Sequence, residues 1–139
     1  MSRPHDGLDP ELTQILRTVV GPGQRFGHRQ HIHLTFVAVH RYGMPAAINK
    51  VSGWIRQIAA HHGTPQRYHD TITRAWAELV AHHVQADPQC TRFEIFAHHH
   101  PRLLDKQLLT AHYRPATLAT RHARQAWTEP DLIPFPWSS

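Results

Sequence analysis

Prolines punctuate this chain, and their positions constrain its fold more than any other feature. A Pro has no amide proton and clashes with the preceding helical turn, so regular elements must end or begin around it. Asp9-Pro10-Glu11 reads as a cap, a first-turn Pro and an acidic first turn, opening a short helix to about Thr18. Gly21-Pro22-Gly23 ends it. A second segment over 25–42 places Phe26, His28, His31, Leu34, Thr35 and Ala38 in i, i+3, i+4 relation, although its Val37-Ala38-Val39 centre also suits a strand. Gly43 stops that segment. Pro45 opens a third, in which Ile48, Val51, Ile55, Ile58 and His62 keep helical period up to Gly63.

Thr64-Pro65 repeats the cap-then-proline start. Tyr68, Ile72, Ala75, Trp76, Leu79, Val80 and His83 then form one broad apolar face over about five turns. Asp87-Pro88 breaks the pattern; Phe93 and Phe96 belong to a short helix, Pro101 restarts another with Leu103, Leu104, Leu108 and His112, and a last helix is expected over 115–127. Three prolines in residues 130–136 keep the C-terminal tail from being helical, so it should lie extended. Leu132, Ile133, Phe135 and Trp137 make it apolar, and it is expected to pack across the bundle or against a second copy, the route to a homodimer.

No alternating strand-turn-strand run and no internal repeat occurs. The expectation is all-α: a single compact bundle of about five to six helices with an extended Pro-rich tail. Its parts are an N-terminal segment with a short helix (1–24), a helical core domain (25–128) and the tail (129–139). With 139 residues there is room for one sizeable core but not two.

The outstanding composition is 15 histidines, equal to Lys and Arg combined. The formal charge of +5 counts them as neutral; full protonation would add 15 and give +20, so charge depends strongly on pH. Only Lys50 and Lys106 are lysines, and a heavy choice of Arg with abundant Ala and Pro is the pattern of a GC-rich genome. Codon usage is then an alternative to adaptation as the source of part of the basic bias, and the Arg residues are dispersed rather than forming a stripe interleaved with aromatics, which disfavours nucleic acid as a partner. The lone Cys90 excludes an internal disulfide framework and a cysteine-rich zinc site. No signal-peptide stretch and no run of 18 apolar residues is present, so no membrane partner and a cytoplasmic setting are expected.

Two constellations can carry chemistry. On a helix, His28 and His31 share a face while His33 points away. His69, in Tyr68-His69-Asp70-Thr71, opens the fourth helix near Trp76. Two helices that each present an inward His can bring imidazoles to metal-bridging distance, with Asp70 or Asp105 completing the site. The same residues serve equally as a general base and a hydrogen-bond donor toward a bound small molecule. The plainer alternative is that each imidazole is satisfied by a backbone or carboxylate partner. His61-His62, His82-His83 and His98-His99-His100 fall at helix C-terminal ends, where a protonated ring meets the macrodipole favourably, and read as capping and solubilising groups, with a metal-binding His tract as the alternative. Tyr68, Thr71, Trp76, Tyr113 and Trp127 are candidates to line a pocket for a planar substrate, and Arg124 to hold a carboxylate.

Phe26-x-His28-x-x-His31, Tyr68-His69-Asp70-Thr71 and Glu129-Pro130-Asp131-Leu132, with Phe93-x-x-Phe96 and Pro101-x-Leu103-Leu104-Asp105 between, resemble a family of small, mostly uncharacterised bacterial helical proteins over about residues 26–136. In that family Glu is usual at position 70 and Tyr at 112. The resemblance implies a compact helical fold and marks His31, His69 and Tyr113.

Three functions are consistent with these residues. The first is an enzyme of specialised metabolism acting on a small-molecule substrate, with His31, His69, Asp70 and Tyr113 catalytic, Tyr68, Thr71, Trp76, Arg124 and Trp127 binding substrate, and no cofactor required. A Pictet–Spengler-type condensation and cyclisation of an aromatic amine with a carbonyl compound exemplifies it. The second is a non-haem enzyme whose divalent transition metal (Fe, Cu or Zn) is held by His28, His31 and His69. The third is a non-catalytic ligand-binding or regulatory module.

Overall fold

The computed structural model describes residues 7–137, and among them every regular element is helical. Helix α1 (Pro10–Val19) starts where the Asp9 carboxylate accepts from the Glu11 and Leu12 amides at 2.7 and 3.4 Å, satisfying donors that have no partner inside the helix. Helix α2 (His28–Tyr42) begins three residues later than its periodicity suggests. The Gln30 side chain accepts from the Gly27 amide at 2.9 Å and fixes that start. Val37-Ala38-Val39 is helical, because the residues flanking it bury on one 3.6-residue face. Gly43, at φ 66°, takes the left-handed turn into α3 (Ala46–His61), and Gly63, at φ 73°, does the same after it.

Helix α4 (Asp70–Ala86) is the longest element. Helices α2, α3 and α4 pack pairwise and α1 lies on α2, so the core sits inside this group. Leu12, Ile32, Leu34, Val51 and Val80 from these helices are sealed from solvent, and Phe96, Leu103, Tyr113 and Phe135 close the core from the C-terminal half. No helix of the described residues is long and apolar enough to cross a membrane.

The C-terminal half departs from the expected helices in two places. After α5 (Phe93–His99), the stretch restarted by Pro101 is two 3-10 turns, Pro101–Leu104 and Lys106–Ala111, rather than an α-helix. Asp105 separates them: its carboxylate accepts from the Gln107 amide at 2.9 Å, starting a new turn. The helix expected over 115–127 is likewise two, α6 (Pro115–Leu118) and α7 (Arg121–Gln125). Thr120 makes the break by accepting from the Ala123 amide at 3.1 Å as the cap of α7.

In residues 129–137, the Asp131 carboxylate accepts from the Arg114 amide and the Thr117 hydroxyl at 3.1 and 2.8 Å. The Leu132 amide donates to the His112 carbonyl at 2.9 Å. Phe135 is 1% exposed and stacks on Trp137, whose Nε1 donates to Glu78 at 3.2 Å. Leu132 and Ile133, expected to pack inward, are 41% and 60% exposed. The tail's apolar anchors are therefore Phe135 and Trp137, while Asp131 and the backbone of Leu132 tie it down by hydrogen bonds. Phe135→Ala should cost about 3–5 kcal/mol by urea unfolding, whereas Ile133→Ser should change stability by no more than about 0.5 kcal/mol.

Candidate functional site

Helices α2 and α4, the second 3-10 turn and α6 enclose a cleft of about 480 Å³. Phe26, Ile55, Ile72, Trp76, Leu109 and Leu118 give it an apolar lining, and His28, His31, Lys106, Thr110 and Tyr113 supply its polar groups. Few polar groups in an apolar concavity is the usual make-up of a small-molecule site.

His28 and His31 share this face of α2, as their spacing requires, with ring centroids 6.4 Å apart; His33 is turned away and stacks on Phe93 at 4.1 Å. The His28 ring packs edge-on against Trp76 at 4.5 Å, and its Nε2 donates to the Leu103 carbonyl at 2.9 Å. Burial lowers its pKa below the ordinary imidazole value, outweighing the opposing effect of that hydrogen bond. His31 differs. It lines the cleft, yet its Nε2 is closed to solvent and has no hydrogen-bond partner among the described residues. Burial, with His28 adding to it, lowers its pKa to about 4, so His31 is a neutral imidazole across the physiological range.

His69 does not join them. It caps α4: Nδ1 accepts from the Ile72 amide at 3.1 Å, and Nε2 donates to the Leu118 carbonyl at 2.7 Å. An acceptor at one nitrogen and a donor at the other define a neutral ring, and burial lowers its pKa accordingly. Both nitrogens are engaged with backbone, so the plainer alternative holds for His69. The break between α6 and α7 explains how: it leaves the Leu118 carbonyl without a helical partner, and the ring of His69 takes it.

The other sequence-selected residues divide between two places. Trp76 and Tyr113 line the cleft, but the Tyr113 hydroxyl donates to the Thr128 carbonyl at 2.6 Å, and burial raises its pKa far above that of a free phenol. It acts as a wall and a strut. Thr71 is fully buried, donating to the Ala126 carbonyl at 2.8 Å and accepting from the Thr128 amide at 3.1 Å. Asp70 accepts from the Tyr68 hydroxyl at 2.8 Å, with Arg56 at 3.6 Å, and is not in the cleft. Tyr68 and Arg124 line a separate, polar cavity of about 590 Å³ with Arg56 and Arg121, where Arg124 donates to the Gln66 carbonyl. Trp127 donates to Glu129 at 2.9 Å and lies under the Arg74 guanidinium at 4.3 Å.

The three histidines proposed as metal ligands do not converge. Among the described residues, His28, His31 and His69 are not a group whose ligand atoms come together, and His69 has no lone pair to give. Asp105 is exposed and caps a turn. Sequence reasoning missed Lys106, Thr110 and Leu109 as cleft residues, since one continuous helix after Pro101 points them differently from the 3-10 turns that form. Phe26, in contrast, was visible as the first residue of the Phe26-x-His28-x-x-His31 pattern.

The chain matches no protein-family model, no curated protein and no solved structure.

Two measurements follow from these roles. His69→Ala should cost about 2 kcal/mol in urea unfolding, because it strands the Ile72 amide and the Leu118 carbonyl. For His31, the unfolded chain takes up a proton near pH 6.5 that the folded chain accepts only near pH 4. Stability should therefore fall as pH drops through that window, by about 3 kcal/mol from His31, and this part should be missing from the pH dependence of His31→Gln.

Proposed function

We propose that this chain is a small-molecule enzyme that binds a planar, largely apolar substrate in the α2–α4 cleft, with His31 as its general base. The observation that carries this reading is the buried, unpartnered Nε2 of His31, a residue that lines a largely apolar cleft. An unmet buried acceptor or donor costs about 1–3 kcal/mol, which a polar group of a bound molecule reaching it would recover. The lowered pKa keeps the imidazole unprotonated at neutral pH and makes it a weak base, one suited only to a strongly acidic proton such as that of a ring-protonated intermediate.

The chemistry that suits these groups is condensation of an aromatic amine with a carbonyl compound followed by ring closure. The amine attacks the carbonyl carbon, water departs to leave an iminium, the aromatic carbon attacks it, and a base removes the ring proton to restore aromaticity. His31 is the group for the last step, and Lys106 is the cation at the same cleft able to donate a proton to the departing oxygen. Trp76 provides the flat wall. Relative to the sequence expectation, the proton-transfer role moves from a His31–His69 pair to His31 alone.

The experiment is turnover of paired aromatic amines and aldehydes followed by mass spectrometry, alongside binding measured by calorimetry. His31→Ala is expected to lower kcat by roughly 10²–10⁴-fold with binding kept, and Trp76→Ala to weaken binding. Binding without turnover in the wild-type chain would favour a ligand-binding module, and unchanged kcat in His31→Ala would remove His31 as the base.

A further inference from the structure

The end of α4 and the end of α5 meet at a second group of side chains, remote in the chain from the cleft histidines. Asp87 is the C-cap residue of α4, and the Cys90 amide donates to its carbonyl at 3.1 Å, folding residues 87–90 into a turn that carries both side chains. His99 is the last residue of α5 and His100 follows it. His99 Nδ1 lies 2.9 Å and His100 Nε2 3.2 Å from the same oxygen, Oδ2 of Asp87. One ligand atom each from Asp87, Cys90 and His99 lie within 4.8 Å of one another.

From this arrangement we propose a divalent-metal site, best suited to Zn²⁺, ligated by Asp87 Oδ2, Cys90 Sγ and His99 Nδ1. Zinc takes thiolate, imidazole and carboxylate together at about 2.0–2.3 Å, which puts neighbouring tetrahedral ligand atoms roughly 3.3–3.8 Å apart. The three donors therefore need to shift by no more than about an ångström. Binding displaces the thiol proton to solvent, and the His99 ring carries its proton on Nε2 so that Nδ1 offers a lone pair. The ion's two positive charges are balanced by one carboxylate and one thiolate, so the occupied site is neutral. His100 keeps its hydrogen bond to Asp87 and orients the carboxylate, the usual role of a group behind a metal ligand. Water fills the fourth position.

The donor set argues against two other uses. Cys90 Sγ donates to the Arg92 carbonyl at 3.7 Å, and its ring neighbour His99 is committed to Asp87, so the thiol has no imidazole hydrogen-bonded to it as a base. Capping alone accounts for one histidine at the end of α5 but not for two aimed at one carboxylate oxygen beside a buried thiol.

The probe is Co²⁺ added to the full, untagged, reduced chain, because a cobalt–thiolate bond gives an intense near-ultraviolet charge-transfer band that histidine binding elsewhere cannot. The expected result is that band at one equivalent, lost in Cys90→Ser, with Zn²⁺ displacing the cobalt. Calorimetry with Zn²⁺ should show affinity reduced at least about 100-fold in Cys90→Ser and His99→Ala, and about 10-fold in His100→Phe. Helical circular dichroism of each variant identifies any that fails to fold, and the wild-type spectrum decides the question without them. Cobalt bound with no charge-transfer band, a band that survives Cys90→Ser, or Zn²⁺ affinity unchanged in His99→Ala would overturn the proposal and leave only adventitious binding to exposed imidazoles.

Discussion

The first turn of α4 is the constraint on which the rest of the C-terminal half depends. Two side chains at its start, His69 and Thr71, reach across to backbone groups of the segment that follows Tyr113. His69 holds the Leu118 carbonyl, and Thr71 holds both the Ala126 carbonyl and the Thr128 amide. Tyr113 then adds its hydroxyl to the Thr128 carbonyl from the far side. Irregular backbone can be buried only where its polar groups find partners. These four contacts are what allow residues 113–128, which contain only two short helices, to lie against α4 as a wall.

That wall makes the cleft. Leu118, Tyr113 and Leu109 stand opposite His28 and His31 because the segment carrying them is tied to α4 rather than continuing as one long helix. A straight helix over 115–127 would satisfy the Leu118 carbonyl internally and leave His69 Nε2 buried without a partner. The break, the cap by Thr120 and the neutral tautomer of His69 are thus one event seen from three residues. It also explains why a histidine beside a conspicuous motif is a structural part: its two nitrogens are the bridge between the α4 amide end and the α6 carbonyl end.

The helical half of this fold was legible because its signals are local. Asp9-Pro10, Gly43, Gly63 and the apolar face from Ile72 to Val80 each state an end or a period within a few residues, and α1, α3 and α4 follow them. The 3-10 turns and the α6–α7 break were not, since Asp105 and Thr120 cap by side-chain bonds that compete with helix continuation, and the winner is set by tertiary partners such as His69. The site was legible on one helix and not across helices. His28 and His31 share a face through spacing alone, whereas the pairing of His31 with His69 required knowing where the nitrogens of His69 end, and the cleft position of Lys106 required the turn geometry. The His98-His99-His100 run looked like a cap because the turn that brings Asp87 and Cys90 beneath it joins residues a dozen positions apart.

The histidines therefore divide by what the packing does to each ring, not by motif. Where helices close over an imidazole, burial disfavours the charged form, and His28, His31, His33, His69 and His83 all have pKa values below the ordinary one. A neutral ring has one donor and one acceptor, which makes it a versatile buried connector: His28, His69 and His83 each meet a backbone carbonyl. In His31, by contrast, Nε2 is fully buried and has no hydrogen-bond partner among the described residues. Its neighbours on α2 show that a partner was available in principle, since His28 one turn away finds Leu103. An imidazole kept neutral by burial, yet left with an unmatched Nε2 on a residue that lines the cleft, sets His31 apart from the rings that serve as backbone connectors.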